Sequence, residues 1–385
     1  MVLLVLAYLG FVSVGLPDGA HGVAWPYMAS DFGVPVGSVG WILVAGTTGY
    51  VSASVAAGFL VSRIGVGWLL AGSTLLSALA LVGYATAPGL VAVVVAALLL
   101  GWGSGAVDAG LNAYVTRHFA ARHISWLHAS FGAGATAGPL VMTAMIAAGL
   151  AWRWGYGSLA AGLGLLALAF LLTAGRWVDG SAVAPVQPPS RQTWRLPGLW
   201  LGAAGFAVQV AIEIATALWA FLLLTERRGM AEELAGLAVS AYWGCMFVGR
   251  LVSGAVTDRL GPHRLLAAGV TGLLLGAVLV TVPAPGWLAV VGLVVLGFAA
   301  APMFPLLTLT TKERVGDEHA DRTIGVQTGA SALGGAAVPA AIGVLIDHTG
   351  PEALGPCLIA LAALLALIYG SSRRIRLPAR LVSPR

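Results

Sequence analysis

The sequence predicts an all-α polytopic membrane protein, with about twelve transmembrane helices in two pseudo-symmetric six-helix halves. Three observations carry this. Of the 385 residues, 59% are hydrophobic and only 9% charged, against roughly 25% charged in ordinary globular domains. There is too little polar surface to coat a water-soluble fold. Apolar runs of roughly 20 residues recur from end to end, the length that crosses a hydrocarbon core of about 30 Å. Finally, the chain repeats itself: Gly58-x-x-x-Ser62-Arg63-x-Gly65 returns 196 residues later as Gly254-x-x-x-Asp258-Arg259-x-Gly261. Such internal similarity in hydrophobic chains marks stacked helical repeats.

Breaks at glycine, proline and charge clusters divide the chain into spans 2–28, 36–61, 66–86, 89–116, 124–149, 154–175, 197–224, 234–257, 263–282, 286–311, 323–346 and 353–371. The first span has no basic segment ahead of it and runs through Trp25-Pro26 without a small-residue cleavage site, so it reads as a retained helix and not a signal peptide. The 53 glycines suit close packing of membrane helices. Gly101 in span four stands 196 residues before Gly297 in span ten, and the Gly-rich run ending at Pro139 stands 200 before the one ending at Pro339. Connections are short except 176–195, which is polar and carries Pro185, Pro188 and Pro189. This division predicts an N-terminal bundle at 1–175, a cytoplasmic linker at 176–196, a C-terminal bundle at 197–372 and a basic tail at 373–385.

Orientation follows from lysine and arginine placement, because cytoplasmic loops carry the excess. With both termini cytoplasmic, Arg153, Arg227 and Arg228 alone among the 20 fall outside, and Arg250 lies inside span eight. The remaining 16, Arg63, Arg117, Arg122, Arg176, Arg264, Lys312 and Arg373 among them, face the cytoplasm. The expected location is the plasma (cytoplasmic) membrane. The net charge of +5 therefore belongs to loops and signals orientation, not nucleic-acid binding. Cys245 and Cys357 both fall in spans and read as small packing residues.

Charges within spans are the informative exceptions. An aspartate at a helix centre costs roughly 2.5 to 3.5 kcal/mol to insert, so it faces protein or water and usually has a task. Asp108 is such a residue, in a stretch (GWGSGAVDAGLNAYVT, 101–116) that follows an uncharged run from Leu90 to Trp102. Asn112 lies four residues on and shares its helix face. Gln209 and Glu213 repeat that spacing in span seven, with Trp219 nearly two turns beyond. Asp18 and His21 lie three apart in span one, where Pro17, Gly19 and Gly22 are expected to loosen the helix. The loop charges Glu226, Arg227, Arg228, Glu232 and Glu233 read as an outer loop. Lys312, Glu313, Arg314, Asp317, Glu318, Asp321 and Arg322 read as an inner loop of mixed sign. The sequence has no phosphate-cradling loop for ATP and no His/Cys cluster with metal-ligand spacing. No cofactor, metal or catalytic residue is expected.

The two-half plan and the repeated loop resemble the major facilitator superfamily, whose signature between spans two and three is G-x-x-x-D-R-x-G-R-[RK]. The second-half copy keeps Asp258 and Arg259, with Arg264 nearby. The first-half copy has Ser62 for the aspartate and Val66-Gly67 for the basic pair. The resemblance implies a cytoplasmic gate around Asp258, Arg259, Arg63 and Arg250, with snorkelling to inner headgroups the alternative for Arg250. Within that superfamily the chain looks like the fucose permease-like (fucose–galactose–glucose:proton symporter) group. The matching residues are Asp108, Asn112, Tyr114, Val115 and Thr116 in span four, Leu127 to Gly132 in span five, Tyr242-Trp243-Gly244 with Gly249-Arg250-Leu251 in span eight, and Gln327, Gly334-Gly335 and Pro339 in span eleven. Ala113 replaces that group's proline.

The resemblance implies that spans one, four and seven line a central cavity. Asp108 is then ranked first as proton and substrate carboxylate, Glu213 second and Asp18 third. Gln209, Gln327 and Trp219 join the candidate set. His128 is either a cavity ligand or hydrogen-bonded at its helix end, and Trp219 is either interfacial or packed. A carboxylate in a partly dehydrated cavity takes up and releases protons near neutral pH. Carboxylates, amides and an aromatic plate suit a polyhydroxylated solute. The expected function is proton-coupled symport of a small polar solute, sugar or sugar-like, by alternating access, with sodium an open alternative to the proton. The partners are then the solute, the proton and the bilayer, and the chain is expected to work as a monomer. The alternatives are a drug/proton antiporter, favoured by Gly134-x-x-x-Gly138-Pro139 but not by the following Leu140-Val141-Met142, and a non-transporting receptor or scaffold.

Overall fold

The computed structural model describes residues 2–119, 121–177 and 190–374. Among these, twelve helices are long and apolar enough to cross a membrane. They are built from α1 (Val2–Phe32), α2 (Val39–Ile64), α3 (Val66–Thr86), α4 (Leu90–His118), α5 (Ala121–Ala147), α6 (Trp152–Thr173), a short α7 (Arg191–Trp194), α8 (Pro197–Glu226), α9 (Glu232–Leu260), α10 (Pro262–Thr281), α11 (Gly286–Ala300), α12 (Met303–Leu309), a short α13 (Thr311–Val315), α14 (Asp317–Thr349) and α15 (Leu354–Ser372). Most of the expected linker and most of the basic tail lie outside the described residues.

The repeat read from the sequence is a repeat of geometry. Gly65 ends α2 at φ +80° and Gly261 ends α9 at φ +81°. Each donates its N–H to the carbonyl four residues back, Val61 and Thr257, at 2.9 Å. That left-handed φ is open to glycine at little cost, which is why both copies of the loop keep it. The interior glycines match as well. Gly101 lies against the Gly46 carbonyl and Gly297 against the Tyr242 carbonyl, while Gly134 abuts Val12 and Gly334 abuts Ala207. The helix pairs correspond in turn: α2 with α4 and α9 with α11, α1 with α5 and α8 with α14, α3 with α6 and α10 with α15. At these contacts a Cβ would strike backbone, which cannot yield. Gly101→Val and Gly297→Val are each expected to cost ~1–3 kcal/mol through overpacking, read as lowered melting in detergent. Gly72→Val and Gly164→Val, whose Cβ atoms would meet nothing within 4 Å, should leave melting nearly unchanged.

Three sequence expectations are corrected here. Pro17, Gly19 and Gly22, expected to loosen span one, leave α1 continuous. The glycines around Asp18 serve close approach instead: Gly15 and Gly19 abut α5, and Gly22 abuts the Ala217 carbonyl of α8. Span ten, expected unbroken, divides into α11 and α12 around Ala301 and Pro302, and Pro305 lies within α12. Prolines lack the N–H that would continue the ladder. Finally, the charged loop segments are partly helical. Asp317 and Glu318 open α14, and Glu232 and Glu233 open α9, where carboxylates complement the positive end of the helix dipole.

The two halves meet at one end. There Gly22 packs on Ala217, Thr143 fills the space beside Gly236, and Gly40 meets Ala340. The Gly37 N–H donates to Asp347 Oδ2 at 3.0 Å. These groups sit in the last thirds of α1, α5, α8 and α14 and at or near the starts of α2 and α9, the end opposite the described chain termini. Farther along, Gly132 still approaches Phe247. Among the described residues, α4 makes no extended contact with α11 or α12. The fold is thus sealed at one end and parted at the other.

Candidate functional site

Asp18 locates the chamber. It is exposed, yet its helix-face neighbours Phe11, Val14, Gly15 and Gly22 are all buried. A lipid-facing residue would belong to a continuous exposed stripe. An exposed residue among buried ones faces a void inside the protein. His128 on α5 is also exposed, with its ring edge-on to Phe11 at 5.4 Å.

Helix α4 presents Asp108 to this space. Its Oδ1 accepts from Asn112 Nδ2 at 3.1 Å, so the four-residue spacing forms one polar unit. Its Oδ2 accepts the Tyr50 hydroxyl at 2.7 Å. Tyr50 comes from α2, and its carbonyl is the surface against which Gly105 lies. Helix α8 presents a second unit. Gln209 Nε2 donates to Glu213 Oε2 at 2.9 Å, and Glu213 Oε1 lies 3.6 Å from Arg250 Nη2 of α9. Tyr242 donates its hydroxyl to the Glu213 carbonyl at 3.0 Å, tying α9 to α8 at Glu213 itself. The two units communicate electrostatically: Asp18 interacts with Glu213 and Tyr50, and His128 with both Asp108 and Arg250. Asp18, Asp108 and Glu213 therefore share one region with the Arg250 guanidinium and the His128 imidazole, among the described residues.

One turn along α1 from Asp18, His21 bonds the Pro17 carbonyl through Nδ1 at 2.6 Å. A carbonyl only accepts, so Nδ1 carries the proton, and in the neutral ring Nε2 accepts from Tyr84 at 3.3 Å. His21 is thereby held against Tyr84 and Tyr156.

Other candidates stand elsewhere. Arg250, assigned to the gate from sequence, points at Glu213 in mid-span and not at Asp258 or Arg259. Those two are exposed at the parted end, and no ion pair joins them to a described residue. Arg63 is exposed with its guanidinium 4.9 Å above the Phe59 ring. Gln327, expected to line the cavity, is fully buried in the C-terminal half. Its Oε1 accepts from Thr311 at 3.0 Å, and its amide end fills the space beside Gly202. Trp219 is likewise a packing residue. It donates Nε1 to the Pro339 carbonyl at 3.0 Å and lies over Gly343 at the sealed end. Sequence reasoning missed Tyr50, Tyr84 and Asp347, whose partners are on distant helices.

A family model for the Major Facilitator Superfamily matches residues 7–339 and 199–378. A protein of Yersinia pestis described as an uncharacterized MFS-type transporter is 25% identical over 375 residues, spanning 95% of this chain and 94% of that one. Among solved structures, a bacterial homolog to the human lysosomal transporter Spinster, in inward-facing and occupied conformation, is similar at a TM-score of 0.78 and 13% identity, covering 100% of this chain and 98% of that one. A peptide transporter POT in complex with sulfate gives 0.77 and 14%, covering 96% and 94%. The nucleoside transporter NupG gives 0.74 and 13%, covering 97% and 99%. These structural likenesses extend along nearly the whole chain and concern the fold. Twelve membrane-length helices, matched halves and the family model agree: the chain belongs to the major facilitator superfamily and is a membrane transporter.

Proposed function

We propose that this transporter carries a small polar solute together with a proton, moving both through the chamber by alternating access. The observation that carries the reading is the convergence of Asp18, Asp108 and Glu213, from three helices of two halves, on a region where, among the described residues, Arg250 supplies the guanidinium. Three ionised carboxylates would leave that region strongly negative, and like charges in a poorly hydrated space favour proton uptake. The Asp108–Asn112–Tyr50 unit and the Glu213–Gln209 unit offer donors and acceptors on opposite walls. That arrangement suits the hydroxyls of a sugar-like solute, in keeping with the fucose permease-like resemblance. The halves, 1–175 and 197–372, rock about this region, joined by 176–196. With both termini cytoplasmic, the parted end faces the cytoplasm, and the exposed Asp258, Arg259 and Arg63 form the inner gate when the halves close there.

The test is proton movement in proteoliposomes under imposed gradients of candidate sugars and polyols, first chosen by thermal-shift screening. Solute-driven alkalinisation of the source compartment is the expected result. Export of lipophilic cations against a proton gradient would replace symport by antiport, a second reading favoured by the same excess of carboxylates. Orientation is tested separately. A cysteine at Arg153 is expected to react with an impermeant reagent from outside the cell, and one at Arg191 only after permeabilisation. The reverse pattern would invert the topology.

A further inference from the structure

Arg314 stands apart from everything used so far. Sequence placed it in a solvated inner loop, yet it is 7% exposed, between α12 and α14. Its neighbour Glu313 turns outward to His263, at 2.7 Å. Among the described residues no carboxylate comes within ion-pair distance of Arg314. The guanidinium instead donates Nη1 to the Thr310 hydroxyl at 3.0 Å and Nη2 to the Leu307 carbonyl at 2.8 Å and the Thr311 hydroxyl at 3.0 Å. Its Nε is buried with no partner. A permanent cation with only neutral acceptors and one orphan donor is incompletely satisfied. Burial lowers its pKa from the usual guanidinium value, and arginine nevertheless stays charged.

Arg314 also lines a groove between α8 and α15. Leu201, Gly205, Leu365 and Ile368 make its apolar part, and Tyr369 stands beside Arg314 at the polar part. The groove lies at the membrane-interface level of the end bearing both chain termini. Trp194 and Trp200 of the adjoining segment are 42% and 56% exposed there, the placement tryptophan takes beside lipid headgroups. Arg373 and Arg374 follow α15 at the same level.

We infer that this groove binds an anionic phospholipid, its phosphate compensating Arg314 and an acyl chain lying along Leu201, Gly205 and Ile368. The apolar part is what separates this occupant from free phosphate, which would need only the polar part. Net negative charge separates it from a zwitterionic lipid, whose own cation would offset the phosphate. The inference stands apart from the transport reading, since no chamber residue takes part.

The experiment measures the melting of delipidated, purified full-length protein in detergent against added dioleoyl phosphatidylglycerol, dioleoyl phosphatidylcholine or inorganic phosphate. Phosphatidylglycerol is expected to stabilise the wild type well beyond phosphatidylcholine, and phosphate not at all. Gly205→Leu fills the groove, and its Cβ meets only Ile368, at an ordinary 3.6 Å. This variant and Arg314→Gln are each expected to weaken the apparent phosphatidylglycerol affinity about tenfold. Should Arg314→Gln fail to fold, Gly205→Leu decides alone. An undiminished response in Gly205→Leu would overturn the inference. So would equal stabilisation by phosphatidylcholine, or an effect reproduced by inorganic phosphate.

Discussion

Replacing Asp108 by asparagine is expected to abolish concentrative uptake while leaving exchange of solute across the membrane within about threefold of wild type. The amide keeps the shape of the carboxylate and still accepts from Tyr50 or Asn112 through its oxygen. What it loses is the ability to take up a proton. With one proton carried per solute, a one-unit pH difference supports about tenfold accumulation, because tenfold and ~1.4 kcal/mol are equivalent. Wild-type uptake therefore rises as the source side is made more acidic. The Asp108→Asn protein should accumulate nothing, and its exchange should be flat across the same pH range. Counterflow of labelled solute, with and without a pH gradient, separates the two behaviours. A variant that still concentrated solute would place coupling elsewhere, with Glu213 and Asp18 the next carboxylates to exchange.

The second large effect concerns the Glu213–Arg250 pair, and it should be asymmetric. Their side chains are 10% and 21% exposed, so neither charge is well hydrated. Removing one partner of a buried pair typically costs ~3–5 kcal/mol, because the other charge is left behind. Glu213→Gln strands a guanidinium that cannot lose its proton. The expected loss is at the lower end of that range, given the partial exposure, together with the greatest fall in melting temperature of the series. Arg250→Gln strands a carboxylate that can neutralise itself by protonation, so it should cost less. The double variant should recover most of the stability lost in Glu213→Gln, and the coupling energy follows from the double-mutant cycle. Equal costs for the two single changes, with strict additivity in the double, would mean that the 3.6 Å approach contributes nothing.

The fold was legible in the sequence because the bilayer leaves so few options. A chain this apolar must be helical, and runs of about 20 apolar residues mark where each helix crosses. Even the repeat was visible. The match of Gly65 to Gly261 is a shared left-handed cap, and that of Gly101 to Gly297 is a shared helix crossing. Within the site, what one helix decides alone was also readable. Asp108 with Asn112 and Gln209 with Glu213 are neighbours by helix geometry, and both pairs are hydrogen-bonded.

What two helices decide together was not readable. Tyr50 completes Asp108 from another helix, and Arg250 was assigned to the gate because spacing alone gives no sign of Glu213. Gln327 shows the same limit from the other side. A glutamine in an apolar span serves equally to line a cavity or to bond a neighbour, and the absent side chain of Gly202 turned it inward. Arg314 looked like one charge among many in a loop, and only the closing of α12 over it reveals its isolation from every described carboxylate.

Proton movement measured beside solute movement in Asp108→Asn proteoliposomes tests the role of the chamber most directly. A pulse of solute on one side should draw protons with it in the wild type. In Asp108→Asn at equal protein density, solute should exchange with no accompanying proton current. Proton movement of wild-type size in that variant would contradict the assignment of the chamber carboxylate to coupling.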